Sequence, residues 1–388
     1  MSIRFTPNAR PTIGVEMELH LVDAVTGELA SASNDILAEM GADHPGGEHP
    51  KAKHELFQST IEIITGVCDT PAQAGEDLRG TLAELRAAAH RRGLTLVSAG
   101  THPFGLAREQ IVSPHQRYLD LVEDLQWPAR RMLICGMHVH VGVPDGSTAI
   151  RIIGELMRHH PLFLALSSSS PYFERDDSGL ASARTKIFEG LPTAGLPPPL
   201  ADWSDFESFM STLIESGCIR SIREVWWDVR PHPDFGTVEF RMCDATPTVR
   251  ETVALAALAQ TLVESTIRQI DAGTLPPPPR EWTIRENRWL AARYGLDAAL
   301  IVQPPGCDHP ERRPVRELVS ELLEEVHPVA SDLGTLDQLA DLETMLTAGS
   351  GAQRQRRVVE AGGTLADVVQ YLAAELAADT ITDARPSR

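Results

Sequence analysis

The segment TIGVEMELHLV, residues 12–22, alternates side-chain character with a period of two, and that period belongs to a strand, not a helix. Ile13, Val15, Met17, Leu19 and Leu21 face one way, and Thr12, Gly14, Glu16, Glu18, His20 and Val22 face the other. Glu16 and Glu18 are then neighbours about 7 Å apart on one face. Carboxylates that close repel each other unless water or a cation lies between them. Taken alone, the segment is equally well a strand with one wet face.

Further strand-like runs are TIEIIT (60–65), LTLVSA (94–99), CGMHVHVGV (135–143), EVWWDVR (224–230) and GTVEFRMCD (236–244). Helical patterns lie between and after them. One covers 72–93 and ends in Arg91, Arg92 and Gly93, a cationic last turn with a glycine stop. Another follows the loop 190–203, covers 202–217 and ends at Gly217. A third opens on a Thr248-x-x-Glu251 capping box and runs to Gly273. Beyond LPPPP (275–279) the pattern predicts helices only, near 284–294, 314–326, 335–347 and 364–378. Strands first and helices after predict an α+β fold with an antiparallel or mixed sheet. No flexible linker divides the chain, so residues 1–388 read as a single domain, with 12–245 forming the sheet and 246–380 mainly helical.

A net charge of -19 argues against nucleic acid or an anionic membrane as partner. Of the 35 basic residues only Lys51, Lys53 and Lys186 are lysines, so a catalytic lysine has three candidates. Cys68, Cys135, Cys218, Cys243 and Cys307 are scattered and form no C-x-x-C pair, which fits a reducing cytoplasm. No apolar run is long enough to span a bilayer. A soluble cytoplasmic protein is the expectation. The apolar C-terminal helices leave packing on the core or on a second subunit, as in a homodimer, equally open.

Phosphate-loop, dinucleotide, H-E-x-x-H and G-x-S-x-G signatures are all missing, and SSSS (167–170) reads as a loop after a helix. What remains is a set of acidic and imidazole side chains on strands. Glu62 interrupts an apolar strand, with Glu55 seven residues before it. His138 and His140 share a face, as do Glu239 and Arg241, and Asp244 follows just past the strand end. Singly, each is an ordinary solvated or paired residue. Gathered on one sheet, they demand cations, because an isolated buried charge is costly. Glutamates with a single histidine suit Mg²⁺ or Mn²⁺, whereas zinc prefers more histidine or cysteine. Arg184, Arg230 and Arg241 offer forked contacts to phosphate or carboxylate. The residues thus point to Mg²⁺-dependent phosphate chemistry on a sheet.

TIGVEMELHLVD, ELFQSTIEIITGVC, AGTHPF, CGMHVHVGVPD, PTAGLPPP, WWDVRPHPDFGTVEFRMCD and NRWLAARYGLDAALI occur in this order. Together they resemble the carboxylate–amine ligase family of glutamate–cysteine ligase 2 type, across nearly the whole chain. The resemblance implies a glutamine synthetase-like fold, a curved and largely antiparallel sheet with the site on its concave face and helices outside. It implies that ATP phosphorylates a carboxylate, glutamate's in the named activity, and that an amine, cysteine in that activity, displaces the phosphate. Residue by residue, it implies Glu16, Glu18, Glu55, Glu62, His138 and Glu239 as metal ligands, and Arg241 at the transferring phosphate with Glu239. Arg184, Arg230, His140 and Trp226 become substrate or ATP contacts. The family's opening motif has three consecutive glutamates; here the middle one is Met17, which alternation points into the core. Seven residues apart, Glu55 and Glu62 face opposite ways on one unbroken strand, so a bend near 57–59 is required if both are ligands. Glu16→Gln or Glu239→Gln is expected to abolish turnover with folding intact. The rival readings are a degenerate ligase fold that only binds nucleotide or metabolite, and a metal-dependent hydrolase built on His138 and His140.

Overall fold

A computed structural model describes residues 3–303 and 309–381; Cys307 lies outside them. The opening alternation becomes β1 (Ile13–Asp23), the longest strand. Ile13, Val15, Met17, Leu19 and Leu21 on its core side are essentially inaccessible. Around it lie α1 (Ser33–Gly41), β2 (Ala52–His54), β3 (Thr60–Ile64), α2 (Pro71–His90) and β4 (Leu94–Val97). α3 (Gln116–Leu125) and the single turn α4 (Trp127–Arg130) lead to β5 (Met137–Gly142) and the long α5 (Gly146–Ser167). A small ribbon, β6 (Tyr172–Phe173) with β7 (Asp176–Asp177), precedes α6 (Ala183–Phe188) and α7 (Trp203–Glu215). β8 (Val229–His232) and β9 (Thr237–Phe240) complete the main sheet.

That sheet is seven-stranded and runs β2-β3-β1-β5-β9-β8, with β4 also paired to β1. Every pairing in it is antiparallel. The period-two rule sorts its two faces. Ile61, Ile63, Met137, Val139, Val141, Val238 and Phe240 join the β1 apolar row in one large cluster with α2, α5 and α8 (Val249–Ala272). The hydroxyl of Thr252 on α8 lies 4.0 Å from the Met17 sulfur. Met17 is therefore a core residue, as alternation requires. α8 opens on the Thr248–Glu251 capping box and stops at Gly273 in the left-handed conformation.

Three sequence expectations are corrected. First, the run 224–230 is not one strand: Ile222–Glu224 is a single 3₁₀ turn and pairing begins only at Val229. Trp226 and Asp228 spend their N–H groups on the proline-rich loop, on the carbonyls of Thr193 (3.1 Å) and Gly195 (2.7 Å). Likewise 236–244 leaves the ladder after Phe240. Second, the C-terminal third is not helices only. After α9 (Glu281–Tyr294), β10 (Ala299–Val302) and β11 (Glu311–Pro314) form a two-stranded ribbon. Third, α10 (Val315–Leu333) and α11 (Leu336–Ala348) are followed by an unforeseen helix, α12 (Gly351–Glu360), before α13 (Leu365–Ala378). Arg354 of α12 is fully buried, donating to Glu251 of α8 (2.8 Å) and paired with Glu375 of α13 (3.0 Å), so an ionic cluster ties these helices to the core. Among the described residues, no helix is long and apolar enough to cross a membrane.

Candidate active site

On the face opposite the core, strand register lines up the chemistry. Lys53 pairs with Glu62 and Glu62 with Glu18 across β2-β3-β1. Glu16 pairs with His138 across β1-β5, and His140, Glu239 and Arg230 are aligned across β5-β9-β8. One row of charged side chains thus crosses six strands, and it lines a cleft of about 880 Å³ with Arg184, Trp226 and Arg241. The wet-face reading of β1 gives way to this row, which lies largely out of solvent.

Glu55 joins by a bend. β2 ends at His54 and β3 starts antiparallel at Thr60, so residues 55–59 reverse the chain. Within that reversal Gln58 donates to the Ile111 carbonyl (2.9 Å), and the Thr60 N–H returns to the Phe57 carbonyl (3.0 Å). Three sets of possible ligand atoms lie within 4.8 Å of one another: Glu16, Glu62 and His138; Glu16, His140 and Glu239; Glu18, Glu55 and Glu62. All six residues singled out as metal ligands occur in these sets, and His140 is added. Two of the sets carry one imidazole beside their carboxylates and the third is all carboxylate, donor sets suited to a hard divalent ion.

The side chains of the cleft perturb one another in two ways. Glu16 accepts from His138 Nδ1 at 2.8 Å and lies 3.4 Å from His140 Nε2. Burial works against its charge, but the two histidines outweigh it and hold the carboxyl well below the usual range. Glu239, also opposed by burial, is held well below by the guanidinium groups of Arg230, whose Nε donates at 2.6 Å, and Arg241. His140 is pushed down by burial, yet Glu239 and Glu16 lift it above its ordinary value, and its Nδ1 meets the Thr237 hydroxyl at 2.9 Å. On the other side, burial and the Glu18 charge push Glu55 up to about 8. Burial, with the charges of Glu16 and Glu55, drives Glu62 well above the carboxylate range. Glu18 accepts the Gly136 N–H at 2.6 Å, a bond that fixes its rotamer.

Two arginines of the cleft carry open donors. Arg184 on α6 is 3% exposed; its terminal nitrogen donates to the Arg241 carbonyl at 3.3 Å and its Nε has no partner among the described residues. Arg241 pairs with Glu239 yet also leaves its Nε unpartnered. A buried guanidinium with open donors is costly unless a ligand completes it.

Sequence reasoning missed the anchor behind this pair. Asp228, taken as one more strand residue, is buried and accepts from Arg288 Nε (2.7 Å) and His160 Nε2 (2.9 Å). Its carbonyl takes the Arg241 N–H at 2.7 Å, fixing the backbone that carries that guanidinium. An aspartate between two tryptophans and a valine was the available signal; its partners on α5 and α9 were not readable. Tyr118, Arg117, Lys53, His232 and Phe235 also line the cleft and were not singled out.

The family model for glutamate–cysteine ligase family 2 matches residues 12–371. The chain belongs to this family. Among curated members, a glutamate–cysteine ligase 2-1 of Frankia casuarinae, so named provisionally, is 50% identical over 377 residues, covering 97% of this chain and 98% of the relative. The corresponding Thermobifida fusca protein is 47% identical over 378 residues, covering 97% and 94%. Among solved structures, a glutamate–cysteine ligase from Francisella tularensis in complex with AMP superposes with a TM-score of 0.69 at 12% identity, covering 96% of this chain and 90% of that one. A bifunctional glutathione synthetase from Pasteurella multocida gives a TM-score of 0.65 at 14% identity, covering 95% of this chain and 52% of that one. At such identities the superpositions establish the shared fold. As a member of glutamate–cysteine ligase family 2, the chain is an amide-forming ligase. The hydrolase reading of His138 and His140 finds no support in these relatives.

Proposed function

We propose that the chain is a cytoplasmic, ATP- and Mg²⁺-dependent carboxylate–amine ligase that activates the γ-carboxylate of glutamate as an acyl phosphate and passes the acyl group to an amine. The observation that carries this reading is the cross-sheet row itself, carboxylates and imidazoles spaced for cations beside two buried arginines with open donors. A carboxylate oxygen attacks the γ-phosphorus of ATP; the new O–P bond replaces the bond to ADP. The amine nitrogen then attacks the acyl carbon, phosphate leaves with the C–O pair, and the ammonium protons go to solvent.

Each residue has an assigned part. Glu16, Glu18, Glu55, Glu62, His138 and Glu239 would hold Mg²⁺ or Mn²⁺, which when bound shields the phosphoryl oxygens and draws them towards the carboxylate. Arg241, fixed by Glu239 and by the Asp228 carbonyl, meets charge that develops on the transferred phosphoryl. Arg230 and His140 flank the polyphosphate beside Glu239, Arg184 takes a substrate carboxylate, and Trp226 lines the pocket. No covalent enzyme intermediate is required, which agrees with the lack of a nucleophile motif.

The test is ADP release from ATP and Mg²⁺ across a matrix of amino-acid donors and amine acceptors headed by glutamate and cysteine, with Glu18→Gln as the blank. ADP that appears only with a donor–acceptor pair, and not in the blank, is the expected result. Nucleotide binding without turnover in any pair would instead favour a binding protein.

A further inference from the structure

The cleft has two unlike ends. At one, Arg223, Arg230 and Arg241 gather near Trp226 and the stacked rings of His232 and Phe235, 4.1 Å apart and 11° from parallel. Cations with aromatic faces are the chemistry that receives a polyphosphate and its base. At the other end, past Glu18, Glu55 and Glu62, the wall is apolar: Leu56, Tyr118, Leu121, Met132 and Ile134.

Helix α3 supplies Tyr118 and Leu121, and none of its residues is buried. Both side chains rest on the small cluster of Leu56, Phe57, Ala107 and Leu133, yet keep apolar surface turned to the cleft. The wall is tied to the carboxylates. The Tyr118 hydroxyl donates to the His54 carbonyl (2.7 Å), one residue before Glu55, and the Ser113 N–H donates to the Leu56 carbonyl (2.8 Å), one residue after it. Two cations at this end form no direct ion pair among the described residues, although the Arg117 charge acts on the Glu55 carboxyl and Lys53 stands opposite Glu62 across β2-β3. Arg117 lies over the Tyr118 ring at 5.7 Å, and Lys53 donates to the His49 carbonyl at 3.1 Å. In a chain of net charge -19, cations in no direct ion pair beside an apolar wall leave donors open to a substrate carboxylate.

We propose that this end is the acceptor subsite, and that it takes an α-amino acid with a sizeable apolar side chain. The side chain covers the Leu56–Tyr118–Leu121–Met132–Ile134 wall, the carboxylate meets Arg117 and Lys53, and the amine nitrogen is thereby directed towards the acyl carbon, beside the carboxylates assigned to the metal. A leucine- or methionine-sized side chain buries more apolar area against this wall than the short cysteine side chain can. This proposal rests on the ligase reading and names the second substrate of the same site.

The test uses the full chain with ATP, Mg²⁺ and glutamate, and an acceptor panel of hydroxylamine, alanine, cysteine, leucine, methionine and leucinamide. Hydroxylamine has no side chain, so hydroxamate formation reports the ligase chemistry independently of the wall. Leucine and methionine are expected to exceed alanine and cysteine in kcat/KM by about tenfold to a hundredfold, and leucinamide to fall at least about tenfold below leucine. Leu121→Asn, or Met132→Ser should that variant fail to fold, should reduce the ratio of leucine to hydroxylamine turnover about tenfold. Cysteine or alanine as best acceptor, leucinamide equal to leucine, or an unchanged ratio in the folded variants would each overturn the proposal while hydroxamate formation keeps the ligase standing. No hydroxamate at all removes the ligase reading, and the acceptor proposal with it.

Discussion

Glu18→Gln should make the metal-free protein more stable and the enzyme inactive. The amide oxygen can keep the 2.6 Å bond from the Gly136 N–H, so the rotamer survives. What disappears is one charge from a set whose ligand atoms lie within 4.8 Å of each other. At an effective dielectric constant of about 20, two full charges at that separation repel by about 3.5 kcal/mol. The repulsion is present only when the neighbours are ionised. Burial and Glu18 raise the folded Glu55 carboxyl from 4.5 to about 8, so between those pH values the folded chain holds a proton that the unfolded chain has released. Stability of the metal-free wild type therefore falls as pH rises through that window and levels off above it. Glu18→Gln weakens this loss. In EDTA its gain should be small at pH about 6 and reach about 1–3 kcal/mol near pH 8.5, several degrees in Tm. Scanning calorimetry at both pH values, with EDTA and with Mg²⁺, reads all of this. The Mg²⁺-induced rise in Tm should shrink in the variant and turnover should fall about a thousandfold or more. A variant that is destabilised in EDTA near pH 8.5, or that keeps the wild-type Mg²⁺ shift and turnover, refutes the carboxylate-cluster reasoning.

Three further outcomes follow from the same geometry. Glu239→Gln strips the charge from between Arg230 and Arg241, both largely buried, so it should cost about 3 kcal/mol of stability as well as turnover; a denaturant titration checks this, and it revises the expectation that folding is untouched. Gly136→Ala would drive a Cβ into the Arg184 guanidinium. That side chain can shift, so the fold should hold while KM for an anionic substrate rises about tenfold or more; steady-state kinetics with an unchanged KM would remove Arg184 from the site. Met17→Glu, which restores the family's third glutamate, places a carboxylate against the α8 hydroxyl of Thr252 in the core. It should lower stability by about 2 kcal/mol or more without altering Mg²⁺ affinity, as unfolding curves and metal titrations will report.

How far the sequence carried depends on the kind of signal. β1, β3, β5 and β9 were legible because their buried faces are apolar and their cleft faces polar, so a period of two survives in the residue types. That pattern also placed Met17 and sorted His138 and His140 onto the Glu16 face. The geometric conflict between Glu55 and Glu62 was legible too, and the chain reversal between β2 and β3 resolves it. β2 itself was not, since three residues, Ala52–His54, carry no period. α12 escaped because its buried face holds an arginine. Arg354 is neutralised by Glu251 and Glu375 from distant helices, so no hydrophobic repeat marks it. The Asp228 anchor depends on Arg288 and His160, sixty and sixty-eight residues away, and only folding brings them together.

The central claim is an acyl phosphate made from ATP and a carboxylate, and isotope transfer addresses it most directly. Glutamate labelled with the heavy oxygen isotope in its γ-carboxylate would be turned over with ATP, Mg²⁺ and hydroxylamine, and the released phosphate analysed by mass. One labelled oxygen per phosphate, appearing with ADP and in step with hydroxamate, is the predicted result. Unlabelled phosphate, or label recovered in AMP, would contradict it.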